Sequence, residues 1–508
     1  MEPEKAETIP LRDSSSRKKN TFAGDVLKLT TGTAFAQMLV VLSTPILTRL
    51  FNPEAFGTFN IYASIVNVIG VIACLRYELA IVLPKTDEEG ANILGLSLFF
   101  SIIVSLVLVP IVWFVKIPVL TWMKALDLEP FWGLVILSVL FTGFFTALNY
   151  WNTRTKDFGR LSIAKAGASL VMVASQLGAG FVGWVSGGSL ITGNIVGLLT
   201  STGILGVQIW RDDGNLFRQS IRPAELWRVM LRYYKFPLVS SWAGVLNTIS
   251  WQVPTFLLAF YFDKTVVGFY ALGNNVLRMP MNLIGASIAQ AFFSRASEAK
   301  NNGNLQQLVE STFRQLVSLS LFPLLLLTII APELFIVFFG KNWAEAGVYT
   351  QILSIWMFFW FISSPLSNLY FILEKQEFIL NLNIAIFITR VLSLLIGGVY
   401  HDAHLALILF AISGILTYGY LSIAIVVMVG IKFKTIFKIL SDYTWPFVPV
   451  GLVLWGAKAL MVPHWIIVLL GALGTLGFYI WLLKNNPAIY HQILQMNIVR
   501  RILSKFRM

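Results

Sequence analysis

Basic side chains inside long apolar runs are the groups of this sequence with the most distinctive chemistry. Arg278, Arg390 and Lys165 each lie within a hydrophobic stretch. A guanidinium stays charged and offers a planar fork of donors that matches a phosphate or a carboxylate, whereas an ammonium acts as a point charge. A charge at the centre of a membrane helix costs about 2.5–3.5 kcal/mol, so it faces protein or a water-filled cavity. We therefore predict that these residues line a cavity for an anionic ligand.

Each cation also has a simpler interpretation. Arg278 is too deep within its stretch to reach the interface, so its alternative is a structural ion pair. The carboxylates nearest to any hydrophobic stretch are Asp25, Glu78 and Glu333. None of these lies at the middle of a stretch, and this scarcity favours the cavity. Arg390 could serve in helix packing, and Lys165 lies close enough to the end of its stretch for its ammonium to reach the interface.

The segment "ACLRYELAIVLP" (73–84) places Arg76 and Glu78 where a hydrophobic stretch ends. Positions i and i+2 of a helix do not face each other, so we do not expect the two side chains to pair directly. We expect the segment to continue beyond the bilayer or turn along its surface, with Arg76 at the inner mouth and Glu78 paired with another basic group. Ordinary anchoring at the interface is the alternative.

The composition defines the class of protein. Of the 508 residues, 56% are hydrophobic and only 12% are charged, and the mean hydropathy is +0.74. A spanning helix needs about 20 apolar residues. Fourteen predicted spans cover residues 26–48, 56–76, 91–115, 131–151, 162–182, 187–210, 237–260, 266–291, 314–338, 348–371, 379–400, 405–430, 444–462 and 465–483. We predict an all-α integral membrane protein with about fourteen transmembrane helices, twelve being the alternative.

Lysine and arginine set the orientation, because cytoplasmic loops hold an excess of both. With the N-terminus inside, the predicted outer segments receive only Arg49, Lys116, Lys124, Lys264 and Lys341. Both termini are therefore predicted to be cytoplasmic. Anionic lipid headgroups then explain the net charge of +13, and nucleic-acid binding is not expected.

An internal repeat accompanies these spans. At an offset of 211, "TPILTRLFNPEAFGTFNIY" (44–62) aligns with "TFLLAFYFDKTVVGFYALG" (255–273), with four identities that include Gly57 and Gly268. Six spans separate the copies, so the two halves have the same orientation and form parallel pseudo-repeats, a pattern typical of transporters. Within the first copy, Asn52, Pro53 and Glu54 favour the start of a helix.

The predicted units follow from the spans and the repeat. They are a polar tail (1–25), a six-helix bundle (26–210), an amphipathic cytoplasmic connector (211–236), a second six-helix bundle (237–430), two additional helices (431–483) and a basic cytoplasmic tail (484–508).

The sequence contains no motif that would indicate an enzyme. It has no phosphate-binding P-loop, no HExxH, no CxxC and no nucleophile elbow. The single Cys74 excludes an internal disulfide and a cysteine-based metal site. The four histidines fall near loops or tails, so no histidine relay crosses the predicted helices. We therefore expect neither a catalytic residue, nor a metal, nor a bound cofactor.

Three stretches resemble one family. "LTRLFNPEAFGTFNIYASIVNVIG", "LRYELAIVLPKTDEEG" and "FYALGNNVLRMPMNLIGASIAQAFFSRASE" are similar to polysaccharide biosynthesis or Wzx-type lipid-linked oligosaccharide flippases, which belong to the multidrug/oligosaccharidyl-lipid/polysaccharide exporter (MOP) superfamily. The resemblance implies two six-helix bundles around a central cavity and two additional C-terminal helices. It also implies transport of undecaprenyl-diphosphate-linked sugars from the inner to the outer leaflet of the bacterial plasma membrane. By analogy with the cavity cations of lipid II flippases, it adds Lys28 and Arg76 to Arg278.

The resemblance leads to further expectations. Asp25 and Glu78 are possible charge partners of the cations. Candidate sugar contacts, chosen as aromatic or amide side chains, are Asn149, Trp151, Trp242, Asn247, Trp251, Gln252, Asn274 and Asn275. Coupling to protons, sodium or the membrane potential is open, a monomer is expected, and a glycan polymerase and a chain-length regulator are partners suggested by the resemblance alone.

Two other functions remain as alternatives. A multidrug exporter of the same superfamily would share the fold, but its site favours embedded carboxylates over embedded cations. A membrane glycan polymerase or ligase would bind the same lipid carrier, yet such enzymes present a large outer loop that this sequence lacks.

Overall fold

The computed structural model describes residues 22–281 and 285–485, apart from the side chains of residues 22–31 and of eight later positions (280, 286, 287, 290, 291, 294, 371 and 376). Within this part every regular element is a helix. The first bundle contains α1 (Phe22–Leu50), α2 (Pro53–Gly70), α3 (Asp87–Trp122), α4 (Leu134–Thr155), α5 (Phe158–Phe181) and α6 (Gly187–Ser220). A connecting helix, α7, covers Pro223–Arg232.

The second bundle contains α8 (Ser241–Tyr261), α9 (Lys264–Pro280), α10 (Ala286–Asn301), α11 (Leu305–Phe339), α12 (Ala344–Leu366), α13 (Leu369–Ile372), α14 (Gln376–Val399) and α15 (Ala403–Met428). It is followed by α16 (Phe433–Thr444), α17 (Phe447–Ala459) and α18 (His464–Asn485). In the first bundle α5 packs between α1 and α6, and in the second α12 packs between α11 and α15. The last two helices, α17 and α18, pack on α11.

The predicted spans correspond to helices throughout. Ten helices of the described residues are long and apolar enough to cross a membrane by length and composition alone. The remaining spans coincide with α2, α8, α9 and α17, which are shorter or more polar. The prediction of an all-α membrane protein with about fourteen spanning helices in two parallel bundles and two additional helices is confirmed.

One span ends earlier than the hydrophobic pattern predicts. The second was expected to reach residue 76, but α2 ends at Gly70 and is followed by turns and a 3-10 helix over Tyr77–Val82. Hydropathy measures only apolar composition, so it does not detect an interruption of the backbone within an apolar run. The eighth span, predicted over 266–291, contains α9 and the beginning of α10, and Met281 and Gly285 between them have helical backbone angles. Residues 282–284 lie outside the described residues.

The two bundles meet where the N-terminal turns of α2 and α9 cross. A Cβ on Gly57 would lie 1.7 Å from the Lys264 carbonyl oxygen, and a Cβ on Gly268 would lie 2.0 Å from the Pro53 carbonyl oxygen. Glycine is therefore needed at both positions for the backbones to approach. At the offset of 211, Pro53 corresponds to Lys264 and Gly57 to Gly268, so the contact is reciprocal. This is the geometry expected at a pseudo-two-fold axis, and it supports the repeat.

The caps of these helices follow the same symmetry. Asn52 is the N-cap of α2 and its side chain accepts a hydrogen bond from the N–H of Ala55. Asp263 is the N-cap of α9 and its side chain accepts from the N–H of Val266. Each cap satisfies a backbone donor that the helix leaves free. The helix start predicted at Asn52 and Pro53 is confirmed.

Polar contacts between the bundles surround this crossing on the predicted outer face. Lys264 Nζ lies 2.8 Å from Glu54 Oε1 and 2.8 Å from Asp127 Oδ1, both in the first bundle. The indole N–H of Trp343 donates to the Thr48 carbonyl over 2.8 Å. These contacts close the predicted outer face.

We predict that Gly57→Val destabilises the contact between the bundles. Its new side chain would meet backbone atoms of α9, which cannot rotate away, so the cost should lie near the upper end of the about 1–3 kcal/mol typical of overpacking. Thermal unfolding of the purified protein in detergent measures the effect. Gly178→Val, at a position of α5 with no atom within 4 Å of the new Cβ, is the matched control. Equal unfolding temperatures of the two variants would contradict the assigned contact.

Candidate functional site

Arg278 lies near the C-terminal end of α9, two residues before Pro280. The half-buried guanidinium of Arg278 lies over two indole rings, with its Cζ 4.9 Å from the ring centre of Trp251 and 5.6 Å from that of Trp360.

Arg390 joins the same group from α14. It is 4% exposed, and its Cζ lies 5.0 Å from the ring centre of Trp251 and 5.5 Å from that of Phe410. Its guanidinium donates to the Ser250 carbonyl over 3.0 Å and to the Tyr418 hydroxyl over 3.3 Å. We call Trp251, Arg278, Trp360, Arg390 and Phe410 the arginine–tryptophan cluster. Five helices of the second bundle contribute to it, namely α8, α9, α12, α14 and α15.

The electrostatics of this cluster are unusual for a protein interior. Among the described residues, no carboxylate lies within 4 Å of either guanidinium, and Arg278 makes no hydrogen bond to any of them. The negative faces of the aromatic rings compensate the two positive charges only in part, by about 0.5–2 kcal/mol for each cation–π contact. Arg390 is held by two hydrogen bonds, so its charge also has a structural role. Arg278 keeps its fork of donors available to an anion.

Arg76 lies away from the cluster, in the connection between α2 and α3. Its Nη1 is 3.6 Å from Glu78 Oε1, so the expectation that Glu78 would pair with a different basic group is wrong. The reason is local backbone geometry. Leu75 and Arg76 both adopt left-handed conformations, with φ of 50° and 63°, so the helical rule for positions i and i+2 does not apply.

This pair sits between the two bundles on the predicted inner face. A Cβ on Gly244, in α8 of the second bundle, would lie 3.3 Å from Arg76 Nε and Cζ, so glycine leaves room for the guanidinium. Glu78 is 3% exposed, and neither its Oε2 nor Arg76 Nε has a hydrogen-bond partner among the described residues. Two left-handed non-glycine residues and an incompletely paired buried carboxyl mark a segment under strain.

We predict a pH dependence of stability that originates at Glu78. This residue lies outside the spanning helices, and burial raises the pKa of its carboxyl to about 7, although the Arg76 guanidinium favours the charged form. The folded state then binds the proton more tightly than the unfolded chain. Its contribution is complete below the ordinary glutamate pKa of 4.5 and is lost as the pH rises through about 7.

The unfolding temperature of the protein in detergent should therefore fall by a few degrees between about pH 5 and about pH 8. In Glu78→Gln, which cannot ionise, this part of the decrease should be absent. The other titratable groups near Glu78 are Arg76, Cys74 and Tyr150, and none has an ordinary pKa in this range. Identical pH profiles for both proteins would exclude Glu78 as the source.

The remaining predicted cations lie on the first bundle. Lys165, on α5, is half-buried and makes no ion pair or hydrogen bond with another described residue. Lys28 and its possible partner Asp25 belong to α1, but their side chains lie outside the described part. The structure thus brings two of the five predicted cations, Arg278 and Arg390, into one cluster.

The predicted sugar contacts divide into three groups. Trp251 belongs to the cluster, Asn247 precedes it by one turn of α8, and Asn274 and Asn275 precede Arg278 by one turn of α9. Gln252 accepts a hydrogen bond from Ser64 Oγ over 3.0 Å, across the interface between the bundles. The three other candidates lie elsewhere, and they are Asn149, Trp151 and Trp242.

Trp151 has a clear structural role in this conformation. It is buried, and its indole N–H donates to Asp213 Oδ2 over 3.1 Å. Trp242 is 69% exposed at the start of α8, where an interfacial anchor is the simplest role. Asn149 is half-buried on α4, and its Oδ1 has no partner among the described residues.

A polar cavity of about 360 Å³ inside the first bundle was not predicted. Its lining residues are Tyr62, Ala63, Val66, Asn67, Ser138, Thr142, Ala168, Ser169, Met172, Asn194, Gly197, Leu198 and Ser201. They come from α2, α4, α5 and α6, and none is charged. The signal was present as single polar residues at helical spacing within predicted spans, such as Ser138 and Thr142. Because none of these residues is charged, the sequence did not single them out as a site. We call this space the first-bundle cavity.

The family follows from residues 46–348, which match the profile of the polysaccharide biosynthesis protein family. This match covers more than half of the chain, including the crossing of α2 and α9 and Arg278. The chain belongs to this family. The family resemblance of the three stretches is thereby confirmed, while no curated protein sequence gives a significant match.

Solved structures support the fold of this family member. The lipid II flippase MurJ in an inward closed conformation aligns over 90% of this chain and 99% of its own, with a TM-score of 0.70 and 13% identity. An inward-facing multidrug resistance MATE transporter of the MOP superfamily aligns over 77% and 94%, with a TM-score of 0.61 and 13% identity. A MOP superfamily transporter from Pyrococcus furiosus, noted for a binding pocket of reverse polarity, aligns over 80% and 95%, with a TM-score of 0.51 and 13% identity. At this identity the likeness establishes the fold.

Proposed function

We propose that this protein is a flippase for an undecaprenyl-diphosphate-linked oligosaccharide, such as the repeat unit of an O-antigen, a capsule or an exopolysaccharide. It moves the headgroup from the inner to the outer leaflet of a bacterial plasma membrane by alternating access of its two bundles, with both termini in the cytoplasm. The arginine–tryptophan cluster binds the diphosphate. Membership of the polysaccharide biosynthesis family and the fold shared with transporters support this class of function.

One observation carries the proposal for the site. Arg278 is half-buried within an apolar bundle, its guanidinium lies over two indole rings, and no described carboxylate compensates its charge. A diphosphate offers oxygens to such a fork of donors.

A multidrug exporter of the same superfamily is the nearest rival. A site for organic cations needs an exposed carboxylate among aromatic groups. Glu333, which lies within a spanning helix, is 7% exposed and its Oε1 lies 3.0 Å from Lys458 Nζ, so its charge is already paired with an ammonium. Binding of a cationic dye in preference to a lipid diphosphate would favour the exporter.

A membrane glycan polymerase or ligase would recognise the same lipid carrier and would need a catalytic carboxylate or histidine in an outer domain. The connection between α3 and α4 on the predicted outer face runs only from residue 123 to residue 133 and contains a 3-10 helix over Leu126–Phe131. Its Asp127 is engaged by Lys264 and by Thr58, whose hydroxyl donates to it over 2.8 Å. Transport therefore agrees better with this connection than glycosyl transfer does.

We predict that Arg278→Ala weakens binding of undecaprenyl diphosphate by about tenfold to about a hundredfold, the loss expected for charge-assisted hydrogen bonds. The affinity of Arg278→Lys should lie between those of the wild type and the alanine variant, because lysine keeps the charge but lacks the planar fork of donors. Affinity in detergent and complementation of glycan export in cells measure the two consequences.

Arg314→Ala serves as the control, since among the described residues the ion-pair partner of Arg314 is Glu310 of its own helix, at 3.2 Å. It should behave as wild type in both assays. Wild-type affinity together with full export by Arg278→Ala would refute the assigned role of Arg278.

We also expect the membrane potential to assist transport. A potential that is negative inside favours outward movement of a diphosphate by about 2.3 kcal/mol per charge per 100 mV. In proteoliposomes with the lipid diphosphate probe, an imposed potential of this sign should accelerate flipping out of the negative compartment, and the opposite sign should slow it. Rates indifferent to the potential would remove this driving force.

A further inference from the structure

The first-bundle cavity and the arginine–tryptophan cluster occupy equivalent places in the two halves of the molecule. Asn67 is the fifteenth residue of Pro53–Gly70 and Arg278 is the fifteenth residue of Lys264–Pro280. Asn67 lines the cavity, and Arg278 belongs to the cluster.

The other helices repeat this correspondence. Met172 is the fifteenth residue of Phe158–Phe181, as Arg390 is of Gln376–Val399. Asn194 is likewise the eighth residue of its helix α6, as Phe410 is of α15. Met172 and Asn194 line the cavity, whereas Arg390 and Phe410 belong to the cluster. The same position in the fold is therefore cationic and aromatic in the second bundle, and neutral and polar in the first.

Free hydrogen-bonding groups line the first-bundle cavity. The side chains of Asn67, Thr142 and Ser169 have no hydrogen-bond partner among the described residues. Together they offer two hydroxyls and an amide, which both donate and accept. A cavity with such groups and no charge suits an uncharged ligand rich in hydroxyl or amide groups, and its volume is within the usual range for small-molecule sites.

The polar face continues from the cavity toward the predicted inner face. Asn149 follows Ser138 by eleven residues of α4, and Gln208 follows Ser201 by seven residues of α6, so each pair shares one face of its helix. Asn149 Oδ1 and Gln208 Oε1 are buried and have no partner among the described residues. Unsatisfied buried acceptors are costly unless a ligand or water completes them.

The cavity and the cluster approach each other across the interface between the bundles. Ser64, one turn before Asn67 on α2, donates to Gln252, the neighbour of Trp251 on α8. One ligand with a charged part and a neutral part could therefore contact both places. The lipid-linked oligosaccharide has these two parts, a diphosphate and the sugar attached to it.

We propose that the first-bundle cavity is a binding site for the saccharide of the cargo, while the arginine–tryptophan cluster holds the diphosphate. This assignment rests on the proposed flippase function. The repeat has thus diverged into one half that recognises the charge shared by every such lipid and another half that recognises the uncharged, variable sugar.

The double variant Asn67→Leu with Ser169→Ala tests this division. The two probes are undecaprenyl diphosphate, which has no sugar, and the lipid-linked oligosaccharide extracted from bacteria that produce this protein. Wild type should bind the second probe more tightly. The double variant should bind the second probe about tenfold more weakly, because two hydrogen-bonding groups are lost, and should bind the first as wild type does. Retained binding of the first probe also shows that the variant is folded.

Two further variants complete the test. Asn381→Leu makes the same change at an exposed residue of α14, nine residues and therefore half a helical rotation from Arg390, and it should affect neither probe. Arg278→Gln should weaken the binding of both probes. Equal affinities of the double variant and wild type for the oligosaccharide, or equal affinities of wild type for both probes, would overturn the sugar site and leave the flippase proposal standing. Failure of wild type to bind either probe would overturn the flippase proposal and the sugar site with it.

Discussion

The site depends on one physical constraint. A half-buried and a buried arginine, Arg278 and Arg390, lie in an apolar bundle without a counter-carboxylate among the described residues. A neighbouring acid would neutralise them at less cost, but the second bundle surrounds them with Trp251, Trp360 and Phe410 instead. Aromatic faces stabilise a cation without forming a closed ion pair, so part of its field remains available. Arg390 is fixed by backbone and hydroxyl acceptors, and Arg278 is held mainly by stacking. This arrangement keeps a positive site that can bind an anion and also release it.

The pseudo-two-fold axis relates the arginine–tryptophan cluster to an equivalent place in the first bundle. Close backbone contact at Gly57 and Gly268 joins the halves on the predicted outer face. Below this contact, α2 ends at Gly70 and is followed by turns and a 3-10 helix, and an interrupted spanning helix leaves backbone groups free. The two halves thus share one architecture, and their chemical difference arises from side chains at equivalent positions, such as Asn67 and Arg278.

The sequence singles out a residue where the type of that residue is informative by itself. Arg278 and Arg390 stand out because charge is expensive inside a membrane helix, and the structure places both in one cluster. Arg76 and Glu78 were misjudged as a pair because the rule applied to them assumes a helix, while two left-handed residues determine their actual geometry. Trp151 was predicted to contact sugar only because its side chain is aromatic. Its contact with Asp213, 62 positions away along the chain, could not be inferred without the packing of α4 on α6.

The sequence by itself determined the class of fold, the number of spans, the parallel repeat and the family, because these depend on composition, on segment length and on a local motif. Only the tertiary structure decided where the second span ends, which cations share an indole, and that polar residues of four helices line a cavity. Those features depend on backbone angles and on contacts between residues far apart in the chain. Hydropathy and spacing describe one helix at a time, whereas a binding site in a helical bundle is made by several helices together.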